Sequence, residues 1–168
     1  MTREFITYAA LFIGLIFFQV LLFNHIALFN VAFPIIFIYF IIRLPISLKK
    51  SYLFTLSFCL GFIVDVFSDT PGVNSLACTL LSALKHPSYY AYVSKDDKTK
   101  NLTPSISSLG LIDYSKYLLT MVAIYCLLAF IIEYFSFADV KELVVLTASS
   151  TLLSFLTLLA LDCIIKPE

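Results

Sequence analysis

Apolar residues run through this chain in long blocks, with polar residues confined to short breaks. The first block, 5–23, is interrupted only by Gln19 and ends at Asn24-His25. The second, 26–42, carries Pro34 in mid-run, where a kink is expected, and closes on Arg43, Pro45, Lys49 and Lys50. Four more follow at 52–68, 71–86, 114–135 and 143–165. A membrane-crossing helix needs about 20 mostly apolar residues. The pattern therefore predicts an all-α polytopic membrane protein with six transmembrane helices, a single domain over residues 1–168. The fourth block is the shortest, and a re-entrant half-helix is the alternative for it.

Charge placement arbitrates. With six crossings and a cytoplasmic N-terminus, Arg3, Arg43, Lys49, Lys50, Lys85, Lys95, Lys98, Lys100, Lys116 and Lys166 fall on the cytoplasmic side. Only Lys141 lies outside. Turning the fourth segment back would abolish this bias, so the positive-inside tendency favours six spans with both termini cytoplasmic. The long connection, 87–113, starts with Tyr89, Tyr90 and Tyr92, as an interfacial aromatic belt would. It continues as a polar, breaker-rich loop, and Asp113 reads as the N-cap of the fifth span.

Composition agrees. Hydrophobic residues make up 61% and charged residues 13%, with zero formal net charge and a mean hydropathy of +0.98. A soluble domain is nearer to about 45–50% apolar and about 25% charged. Zero net charge gives no reason to expect a nucleic-acid partner. Cys59, Cys78, Cys126 and Cys163 all lie in apolar segments without metal-site or disulfide spacing, and read as small buried residues. No nucleophile elbow, zinc-protease helix, P-loop or dinucleotide fingerprint occurs, so neither catalysis nor a cofactor is expected. His25 and His86 fall on opposite membrane faces and cannot share a metal.

The stretch Gly61–Leu81 departs from the apolar pattern. Asp65, Ser68 and Asp69 stand at i, i+3 and i+4, one face of a helix. A mid-membrane acid costs about 2.5–3.5 kcal/mol, less near a helix end. Pro71-Gly72 suits the centre of a type II turn, and Ser68, Asp69 or Thr70 can cap the next helix. The corner is then either a capped structural turn or a partner surface. A hard cation would need more oxygen ligands than this acid pair supplies. Elsewhere, Glu133 is placed to face Lys141, Asp162 to pair with Lys166 at i+4, and Gln19 to bond a neighbouring helix.

The pattern Gly61, Asp65, Ser68, Thr70, Pro71, Gly72, Asn74, with Ala77 beyond, resembles the MreD family of bacterial rod-shape-determining membrane proteins. Length, span number and Lys85-His86-Pro87 extend the likeness to the whole chain. One departure is Asp69, where many members carry glycine. The resemblance implies a non-enzymatic inner-membrane component of the cell-elongation machinery, bound to an MreC-like bitopic protein. Through that partner it would meet MreB, RodA and a penicillin-binding transpeptidase, and help position peptidoglycan synthesis. The family is also similar in fold to the substrate-binding components of energy-coupling-factor transporters. That makes a vitamin-binding subunit the alternative, with Asp65, Asp69 and Asn74 lining an outward pocket.

Overall fold

The computed structural model describes residues 2–21, 34–93, 103–133 and 140–164. Seven helices occur among them, and no strand: α1 Thr2–Leu21, α2 Ile38–Arg43, α3 Lys50–Ser68, α4 Val73–Tyr92, α5 Ile106–Leu109, α6 Leu111–Glu133 and α7 Val140–Ile164. Three are long and apolar enough to cross a membrane, over Lys50–Ser68, Leu111–Glu133 and Leu143–Cys163, and Tyr8–Val20 is a shorter apolar stretch of α1.

Several helices present apolar side chains outward while burying polar ones in an otherwise apolar core. On α3, Phe58, Phe62, Val66 and Phe67 are exposed while Ser57 and Asp65 are buried. On α7, Ser150, Ser154 and Asp162 face inward at four- and eight-residue spacing, and Val144, Val145, Leu152 and Leu156 face out. A water-soluble protein rarely exposes apolar patches of this extent. A hydrocarbon solvent reverses the preference.

Paired contacts give the helix directions. Phe12 meets Phe40 edge-on at 5.1 Å and Gln19 bonds Ile36, so α1 runs antiparallel to α2. Ile35 bonds Ser154 and Tyr39 bonds Asp162, so α2 and α7 run parallel. Tyr89 meets Tyr117 and Asn74 meets Tyr125, so α4 opposes α6.

Five sequence expectations change. The block 26–42 is not one helix with a kink. Residues 34–37 are non-helical and α2 has only six residues, while 26–33 lie outside the described residues. Proline has no N–H to donate and disfavours helix in the residue before it, which interrupts the ladder here. The fourth segment does not end at 86. The helix continues through Pro87 to Tyr92, 20 residues or about 30 Å at about 1.5 Å per residue. The connection over 87–113 is correspondingly shorter and contains α5, whose Ser105 forms a capping box with Ser108. Asp113 is not an N-cap; it lies in the first turn of α6 and pairs with Lys116 at 3.4 Å on the surface. Finally, Cys78 and Cys126 are buried as expected, but Cys59 and Cys163 are exposed on outward faces.

Candidate functional site

Asp65 organises the turn between α3 and α4. Its Oδ1 accepts from the Thr70 hydroxyl at 2.9 Å, the Asn74 backbone N–H at 2.9 Å and the Asn74 side-chain amide at 3.0 Å. Its Oδ2 accepts from the Ser75 N–H at 2.8 Å and the Ser75 hydroxyl at 2.5 Å. Asn74 and Ser75 are the second and third residues of α4, whose amides have no partner within the helix. The cap therefore comes from the preceding helix. This corrects the expectation that Ser68, Asp69 or Thr70 would supply it; the N-cap position itself is Gly72, which has no side chain. An ionised carboxylate accepts hydrogen bonds worth about 1.5–3 kcal/mol each. Two such bonds already offset the insertion cost of the acid, and the remainder hold the corner.

The other motif residues have separate tasks. The Asp69 N–H bonds the Asp65 carbonyl with φ 55°, a left-handed conformation in which glycine is the usual residue. Asp69 thus stands at a position where glycine is favoured, and aspartate is among the few residues that tolerate it. Gly72, at φ 84° and ψ −1°, has the second central geometry of a type II turn. At Gly61, one turn before Asp65, an added Cβ would lie 2.7 Å from the Ser75 Cα. Only glycine lets α3 approach α4 this closely. Asn74 also donates to Thr70 at 3.0 Å and accepts from the Tyr125 hydroxyl of α6.

Asp65, Thr70, Asn74 and Gly61 are brought together, joined by Ser75 and Tyr125. Asp69 is exposed and does not share the Asp65 face, because the helix has already ended. Pro71 is exposed at the turn, and Ser68 is half-buried in the last turn of α3. An apolar groove of about 450 Å³ opens beside the corner, walled by Phe58, Phe62, Val66 and Leu76 with Gly72 and Ser75 at its base.

A second polar cluster joins α2, α4 and α7. Asp162 accepts from the Tyr39 hydroxyl at 2.5 Å and from Arg43 at 3.2 Å, and the guanidinium lies 5.8 Å from the Tyr39 ring centre. Lys85, 0% exposed, donates from Nζ to the Ile41 carbonyl at 2.7 Å and the Leu44 carbonyl at 2.5 Å. It is thus a buried cap on the end of α2 rather than a surface charge, where an ammonium also suits the helix dipole. His86 lies 3.2 Å from the Ile46 carbonyl. Asp162 was expected to pair with Lys166, which lies outside the described residues; the partners seen are Arg43 and Tyr39. His25 lies outside the described residues, as do residues 134–139 between Glu133 and Lys141; Glu133 and Lys141 themselves are both exposed.

This cluster is the part that sequence reasoning missed. One signal for it was readable: Ser150, Ser154 and Asp162 recur at four- and eight-residue spacing on one face of α7, and all three are buried. Among the described residues no group of three or more histidine, cysteine, aspartate or glutamate side chains is placed to hold a metal. No protein-family model matches the chain, and no curated protein or solved structure does either.

Proposed function

We propose that the chain is a six-crossing protein of the bacterial inner membrane with both termini cytoplasmic. It acts as a non-enzymatic component of the cell-elongation machinery and binds an MreC-like bitopic partner. Through that partner it would reach MreB, RodA and a penicillin-binding transpeptidase. The observation that carries this reading is the Asp65 corner. Five of the eight residues that carry the MreD resemblance, Gly61, Asp65, Thr70, Gly72 and Asn74, each do a distinct structural task there. A motif that builds the scaffold leaves partner binding to helix faces and loop rims.

The alternation of α1, α2, α3, α4, α6 and α7 supports six crossings. α4 carries more polar residues than its neighbours, yet Ser75, Ser82 and Lys85 are buried while Leu76, Leu80 and Leu84 form an exposed stripe. A helix packed between α3 and α6 needs an apolar surface only where it meets lipid. The vitamin-binding alternative is less well supported. Asp65 and Asn74, which would read the ligand, already bond each other, Ser75 and Tyr125. The centre of the bundle is filled by Phe37, Tyr39, Tyr114, Tyr117 and Tyr125.

The test is co-purification from detergent with an MreC-like protein, together with depletion in a rod-shaped host. Recovery of the partner and rounding of depleted cells are expected. Unchanged shape with no partner recovered would sink the proposal.

A further inference from the structure

We draw no further inference here: the strongest candidate, the outward apolar groove between α6 and α7 lined by Ala123, Thr147, Ala148 and Leu152, is an unpartnered helix face, and nothing in the structure shows what covers it.

Discussion

At the scale of single residues, Asp65 accepts five hydrogen bonds with two oxygens. Asparagine keeps the shape but turns one oxygen into a donor facing donors. Asp65→Asn is therefore expected to destabilise the protein by about 2–4 kcal/mol, the loss of charge-assisted bonds plus stranded amides. Thermal unfolding in detergent measures this. Gly61→Ala should cost about 1–3 kcal/mol, because the Ser75 backbone cannot yield as a side chain would. Asp69→Gly has the opposite sign. Relief of the left-handed strain outweighs the extra chain entropy, for a gain of about 0.5 kcal/mol. Asp65, Pro71-Gly72 and Asn74 were legible as a corner because acids and turn residues stand out in an apolar sequence. That Asp65 rather than Asp69 supplies the cap was not legible, since it depends on where α3 ends.

At the scale of elements, α4 separates two readings. If its outward stripe meets lipid, Leu80→Lys is expected to impair membrane insertion by about 2.5–3.5 kcal/mol, as for a charge near a helix centre. Measuring the inserted fraction by alkaline extraction decides it. Full insertion of the variant would place that face in water and end the six-crossing reading of α4. The helix was hard to read from sequence because its polar residues lower its mean hydropathy. Their burial against α3 and α6 is a tertiary fact. The second block shows the converse limit: 26–42 reads as one unbroken apolar run, because hydropathy does not register the break at 34–37.

At the scale of the whole molecule, the arrangement predicts which ends share a membrane face. A thiol introduced by Asp69→Cys, in a chain whose native cysteines are replaced, should react with a membrane-impermeant reagent in intact spheroplasts. One introduced by Lys50→Cys should react only after permeabilisation. Reversed labelling refutes the orientation, and labelling of both from one side refutes full crossing by α3. The charge distribution carries this expectation; within the bundle, Arg43, Lys85 and Asp162 gather at one end, opposite the Asp65 corner.

Sequence alone determined the helical class, the apolar exterior, the position of the α3–α4 turn and the residues that build it. These follow from local quantities: run length, turn chemistry and the cost of a lone charge in an apolar stretch. Tertiary structure decided which donors meet Asp65, that Asp162 holds Arg43 and Tyr39, and that Lys85 is sealed on the end of α2. Those contacts join residues from 5 to 123 positions apart in the chain. The energy that selects them comes from satisfying buried polar groups with whatever partner the packing brings near, and spacing in the sequence carries no record of that choice.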